Sequence, residues 1–159
     1  MNEFIVQPEQ SEQSEQPLTK PSRRRSKRYG VILTFLKPDT PPQNTLYLLV
    51  KGRHGGIWSF PKGHAKKEEE PLTTARREME EETGITLPPT HLPLSHRRLK
   101  GMVYFHFEGD TTHYTSTVQP TDSFEVEETR WTTLLEMETL QCNSGMKEFM
   151  KKEKKRLGF

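Results

Sequence analysis

The sequence predicts an α/β domain, and three observations carry that reading. Short β-rich segments recur at Tyr29 to Phe35, Thr45 to Lys51 and Met102 to Phe107. Between the second and third lies a run with helical spacing, Leu72 to Thr83, opened by Pro71 and closed by Gly84. A second helical pattern runs from Asn143 to Arg156, so strands and helices alternate along the chain.

At 159 residues the chain is long enough for one domain with a real core and too short for two. Hydrophobic content of 30% is low and charged content of 29% is high, which predicts a disordered tail. Met1 to Pro21 has that composition, rich in Gln, Glu, Ser and Pro with a Ser-Glu-Gln repeat. It turns basic at Lys20, followed by Arg23, Arg24, Arg25, Lys27 and Arg28. Such a block serves as a solubilising linker, a nucleic-acid contact or a nuclear-import signal. No aromatic residues are interleaved to stack on bases, which favours the linker. One cysteine, Cys142, excludes an internal disulfide and a cysteine-based zinc cluster. The polar start is unlike a secretory signal and no apolar run is long enough for a bilayer, so the expected compartment is cytoplasmic, or nuclear through Arg23 to Arg28, with no membrane partner. The net charge of +2 does not by itself call for a polyanion, and the oligomeric state is left open.

Each element has its own reasons. Lys37 to Gln43 is proline-rich and connects the first two strands; Leu46, Leu48 and Val50 share one face of the second. Arg53-His54-Gly55-Gly56 is a turn, after which Trp58 and Phe60 read as core or lid residues. Pro88-Pro89 breaks the chain and Leu94 to Leu99 begins another strand. Met102 to Phe107 is apolar on both faces, which predicts burial on both. Tyr114 to Val118 is expected to be a further strand; Glu125 to Thr132 follows, and Trp131-Thr-Thr-Leu-Leu-Glu turns into a short helix. In the last helix Asn143 is the cap and Met146, Phe149 and Met150 the apolar stripe. Lys151, Lys152, Lys154, Lys155 and Arg156 crowd its C-terminal end, where cations are favourable for electrostatic reasons alone.

The chemistry is concentrated in the helix after Pro71. Leu72, Ala75 and Met79 line one side and should pack on a sheet; Glu78, Glu81 and Glu82 crowd the neighbouring side. Like charges at that spacing oppose helix formation by roughly 0.2–0.5 kcal/mol per pair unless something positive sits among them. A divalent cation would, and Mg2+ suits because it takes oxygen ligands from one or two carboxylates plus substrate phosphates. Arg77, four residues before Glu81, is also expected to reach back towards Glu69 and tie the turn to the helix.

The order of residues sharpens this. From Gly63, five residues lead to Glu69 and seven more to Arg77-Glu78-Met79; one position on come Glu81-Glu82, and after another Gly84-Ile85. This resembles the signature of the Nudix hydrolases at all nine constrained positions of a 23-residue stretch. The resemblance implies an α/β/α sandwich around a mixed β-sheet over residues 28–159, with 1–27 as a tail. It further implies hydrolysis of a pyrophosphate linkage, with Glu78, Glu81, Glu82 and the Gly63 carbonyl as ligands of Mg2+ (or Mn2+), and Glu69 and Arg77 as supports of that cluster. The general base varies within the family, and Glu78 is the first candidate here and Glu125 the second. A non-catalytic binding module would be marked by a replaced signature glutamate, and none is replaced.

For substrate contact the candidates are Lys62, Arg53, Lys51 and Tyr104. Lys62 precedes the glycine that opens the carboxylate turn, where a cation meets a phosphate oxygen. Tyr104 is an aromatic that could stack on a base, with core packing its ordinary reading. The flank Trp58-Ser-Phe-Pro-Lys-Gly-His64 resembles that of diadenosine tetraphosphate hydrolases, and similar flanks occur in decapping and diphosphoinositol polyphosphate enzymes. A dinucleoside polyphosphate is therefore the first substrate expectation. Cap hydrolysis, with RNA held by the basic termini, stands second; diphosphoinositol phosphates, which need a denser basic pocket, stand third.

Overall fold

The computed structural model describes residues 27–116, 118–120 and 125–159. The polar tail and its basic run as far as Ser26 lie outside these residues. Among those described, seven strands form one mixed sheet: β1 (Arg28–Phe35), β2 (Leu46–Gly52), β3 (Trp58–Ser59), β4 (Lys62–His64), β5 (Ser95–Leu99), β6 (Met102–Glu108) and β7 (Val126–Thr132). The order is β3-β2-β1-β6-β5, with β4 paired to β1 and β7 to β2. The β1–β6 pair is parallel and the others are antiparallel. Four helices join them: α1 (Pro71–Thr83), α2 (Thr111–Thr115), α3 (Leu134–Met137) and α4 (Ser144–Leu157).

Period-two alternation in β1 sends Val31 and Leu33 to one face of the sheet and Ile32 to the other. Val31 and Leu33 join Leu48, Phe107, Ala75 and Met79 under α1. Ile32 joins Tyr47, Leu49, Phe60, Met146 and Phe149 under α3 and α4. Two cores on two faces of one sheet make the expected α/β/α sandwich. They also extend the reading of β2, whose Tyr47 and Leu49 are as buried as Leu48 and Val50 because helices cover both sides.

α1 begins and ends where its sequence requires. Pro71 takes the first position, and Gly84 closes the helix in the left-handed region at φ 76°, its N–H donating to the Glu80 carbonyl. α4 is capped by Asn143, whose side chain accepts from the Met146 N–H. No helix among the described residues is long and apolar enough to cross a membrane.

Two expectations are corrected. Tyr114 to Val118 is not a strand: Tyr114 and Thr115 end the short helix α2, and residue 117 lies outside the described residues. Asp110 and His113 cap that helix reciprocally, while Tyr114 stacks on Phe35 at 4.8 Å between ring centres. Tyr104 is 2% exposed, packed edge-on to Phe60 and against the bare Cα of Gly30. It is therefore core and is not available to stack on a base.

Candidate active site

The signature forms a strand, a loop and a helix folded onto one another. β4 pairs with the start of β1, setting Gly63 opposite Tyr29 and Lys62 opposite Gly30. α1 packs against this corner, and two of its carboxylates, those of Glu78 and Glu82, reach it. A β-carbon on Gly63 would stand 2.1 Å from the Glu78 carboxyl carbon and 2.3 Å from both its oxygens, so Glu78 lies directly against the Gly63 backbone. Glu82 accepts the Lys62 backbone N–H at 2.8 Å. Both glutamates are only 8% exposed.

Burial sets their acidity. Desolvation pushes the Glu82 carboxyl up to about 8, against the partial relief of the Lys62 N–H and ammonium, and the charges of Glu78 and Glu125 push it further. Glu78 is also raised, by desolvation first, with Arg77 opposing and Glu81 and Glu125 reinforcing. Glu125, exposed on the turn before β7, is thus near enough for both buried carboxylates to feel its charge.

Arg77 and Glu69 brace the loop. Glu69 accepts Arg77 Nε at 2.9 Å, Arg77 Nη2 at 2.9 Å, Thr74 Oγ1 at 2.7 Å and the Lys66 N–H at 3.1 Å. Arg77 Nη2 also donates to the His64 carbonyl at 2.9 Å, which pins the loop to the helix. Hydrogen bonds from Arg77 hold the Glu69 carboxyl down at about 2, well below its ordinary value. A carboxylate depressed in this way stabilises the fold fully above pH 4.5 and loses that contribution as pH falls towards 2. Glu69→Gln is accordingly expected to cost about 2 kcal/mol at pH 7, and much less at pH 3. Urea unfolding of both proteins at the two pH values measures the difference.

Arg77 Nη1 donates to Glu78 Oε1 at 2.9 Å and to Glu81 Oε1 at 3.1 Å. It supplies the positive charge that the crowded carboxylates require. Among the described residues, no three His, Cys, Asp or Glu side chains stand grouped so as to hold an ion as they are. The three signature carboxylates do not form a ready-made cage, because two of them turn to Arg77. Their donor chemistry nevertheless fits a hard divalent cation: oxygen donors only, two of them on buried carboxyls that a nearby cation would hold ionised.

The remaining candidates divide. Lys62 is half-buried; its backbone N–H donates to Glu82 at 2.8 Å and its charge favours the ionised form of that carboxyl. Arg53 is tied to the site's edge by its backbone N–H, which donates to the Glu125 carbonyl at 2.9 Å. Lys51 lies beside Glu127, with 3.8 Å between charged atoms, at the β2–β7 border.

The sequence matches the NUDIX domain family over residues 27–152. Among solved structures, a C. elegans Ap4A hydrolase is 21% identical, with a TM-score of 0.59 over 84% of this chain and 99% of that one. The NUDIX domain of Shewanella oneidensis NrtR, complexed with ADP ribose, is 17% identical, with a TM-score of 0.61 over 87% and 92%. A Nudix hydrolase from M. smegmatis, RenU, is 17% identical, with a TM-score of 0.57 over 84% and 86%. At these identities the likeness establishes the fold. Comparison with curated proteins finds no match.

Proposed function

The chain belongs to the NUDIX domain family, and from that membership we propose that it is a magnesium-dependent pyrophosphohydrolase acting on a dinucleoside polyphosphate such as diadenosine tetraphosphate. What carries the reading is the pair of buried carboxylates, Glu78 and Glu82, held against the backbone of Gly63 and Lys62. A structural role does not call for two acids in contact with a loop backbone and starved of water. A divalent metal does, since it repays their desolvation.

A pyrophosphate bridge carries several negative charges that repel an incoming hydroxide. Glu78, Glu81, Glu82 and the Gly63 carbonyl would hold the divalent ion, Mg2+ or Mn2+ in its place, which when bound would draw charge from the phosphate oxygens and activate a water. The Lys62 ammonium, whose charge acts on Glu82, would meet a phosphate oxygen that the ion leaves unneutralised. Glu78 and Glu125 are the bases within reach of that corner, Glu78 buried in it and Glu125 exposed at its rim. Glu69 and Arg77 take no proton: they fix where the loop and the helix meet.

The substrate assignment rests on the flank Trp58 to His64, whose Trp58 and Phe60 are buried while Lys62 and Gly63 face the carboxylates. Its test is a product analysis with diadenosine tetraphosphate, capped RNA and a diphosphoinositol phosphate, each with magnesium in water enriched in heavy oxygen. Diadenosine tetraphosphate should turn over fastest and place one heavy oxygen in one product. Faster cleavage of capped RNA would make the protein a cap hydrolase instead. No cleavage of any of the three with either metal would overturn the reading.

A further inference from the structure

We propose that the cavity between the start of β1 and the β5–β6 turn is an anion subsite, holding phosphate groups of the substrate that lie beyond the bond being cleaved. The inference rests on the reading above, in which cleavage occurs at the Gly63 corner. The cavity measures about 380 Å³, and its charged lining is Lys27, Arg28, Arg98 and Lys100, with no acidic residue. All four are exposed, and among the described residues Lys27, Arg28 and Arg98 make no ion pair. Lys100 differs, since its backbone N–H donates to Glu148 at 3.0 Å and, after the Lys152 hydrogen bond, helps to hold that carboxyl below its ordinary pKa. Four cations gathered from the start of β1, from β5 and from the β5–β6 turn around one hollow repel one another unless an anion lies among them.

The sheet places this hollow beside the carboxylates. Parallel pairing of β1 with β6 sets Tyr29 opposite Val103, and antiparallel pairing of β5 with β6 sets Arg98 opposite the same Val103. On its other side Tyr29 pairs with Gly63. A single row therefore runs Arg98, Val103, Tyr29, Gly63 across four strands, and Glu78 packs on its last member. Three strand spacings separate its ends, roughly 14 Å. Arg28, opposite His64 in the β1–β4 ladder, stands between them.

A ligand cleaved at Gly63 and reaching Arg98 must be extended along this row and must carry negative charge well past the reacting pair of phosphates. Guanidinium forks and ammonium groups together suit clustered phosphate oxygens. That chemistry is shared by a linear polyphosphate chain and by a ring bearing several phosphates. A compound with only two phosphates leaves the subsite empty.

Calorimetric titration of the full chain with inorganic tripolyphosphate, with a chelator present so that no metal complex binds at the carboxylates, tests this directly. Arg98→Gln with Lys100→Gln should weaken binding at least about tenfold, whereas Lys151→Gln with Lys155→Gln, removing two charges from α4, should weaken it less than about twofold. Should the first pair fail to fold, Arg28→Gln carries the same expectation. In turnover, the Arg98 and Lys100 pair should raise KM for diadenosine tetraphosphate by a similar factor with kcat within about twofold. Repeating the titration with inositol hexakisphosphate separates the sources: tighter binding of the chain names a polyphosphate, tighter binding of the ring names a phosphorylated cyclitol. Absence of binding to the unaltered protein, or equal weakening by the two pairs, overturns the subsite. Absence of any nucleotide cleavage with tripolyphosphate binding still lost in the variant overturns the reaction and leaves the anion site standing.

Discussion

Glu82→Gln is expected to abolish turnover, lowering kcat by about a thousandfold or more with magnesium present, while leaving the metal-free protein at least as stable as the parent at pH 8. The two halves have one cause. Glu82 is buried and accepts the Lys62 N–H at 2.8 Å, and a glutamine oxygen can accept the same bond. What the substitution removes is the charge. In the metal-free protein that charge is a liability: the carboxyl titrates at about 8, far above its ordinary value, because burial penalises the ionised form. A carboxyl whose folded value is raised binds its proton more tightly in the native state, so stability is greatest below pH 4.5 and declines as pH climbs through 8. With chelator present, the parent should lose up to a few kcal/mol between pH 5 and pH 8, and the variant should lose less. Adding magnesium should restore the parent at pH 8 and not the variant. Urea titrations across that range, with and without magnesium, read the stability half, and kcat reads the other. Retained activity would remove Glu82 from the site, and a parent stability flat with pH would remove the burial argument.

How much of this was legible in the sequence depends on distance along the chain. The helix and loop from Gly63 to Gly84 were readable because their signals are local: Pro71 and Gly84 mark its ends, and Arg77 finds Glu69 and Glu81 within eight residues. Asn143 announced α4 in the same way. The reading failed where tertiary contacts decide. Tyr114, Thr115 and Val118 have strand composition, but Asp110 and His113 cap each other and Phe35, from the end of β1, takes the Tyr114 ring. Tyr104 has a polar handle that suits a binding site, yet Gly30, absent a side chain, opens space for its ring in the core. β4 is only three residues long and has no pattern of its own, so it exists because β1 offers it an edge. The basic cavity was invisible for the same reason. Arg98 and Lys27 are separated by most of the fold, and only the parallel pairing of β1 with β6 brings them to one mouth. The turn of Arg77 towards Glu78 and Glu81 is half legible: Glu81 and Glu69 lie at spacings that the sequence shows, whereas the bond to the adjacent Glu78 depends on how Gly63 holds that carboxylate.

Gly63→Ala should leave the protein folded and cost about a hundredfold or more in activity, because the clash it creates has only one soft partner. Gly63 does not have the left-handed backbone that an alanine would resist, so the β4–β1 ladder opposite Tyr29 tolerates the substitution. The added methyl would meet Glu78 at 2.1–2.3 Å, and the three nearest atoms all belong to the far end of that carboxylate. The carboxylate therefore swings away, at a stability cost of about 1 kcal/mol, and takes with it the hydrogen bond from Arg77 Nη1. Displacement of a base or metal ligand by even an ångström or so is enough to lose two orders of magnitude in rate. Gly158→Ala gives the opposite pattern. At φ 78°, with nothing within 4 Å of an added β-carbon, it strains the C-terminal cap of α4 and costs about 1 kcal/mol with kcat unaltered. Measured side by side, thermal unfolding should barely distinguish the two variants and kcat should separate them widely. Shortening the displaced acid supplies the decisive comparison. If the methyl acts only by pushing Glu78 aside, Glu78→Asp should cost less activity in the Gly63→Ala background than in the parent, and equal costs in both would show that the glycine matters for some reason other than the room it gives that carboxylate.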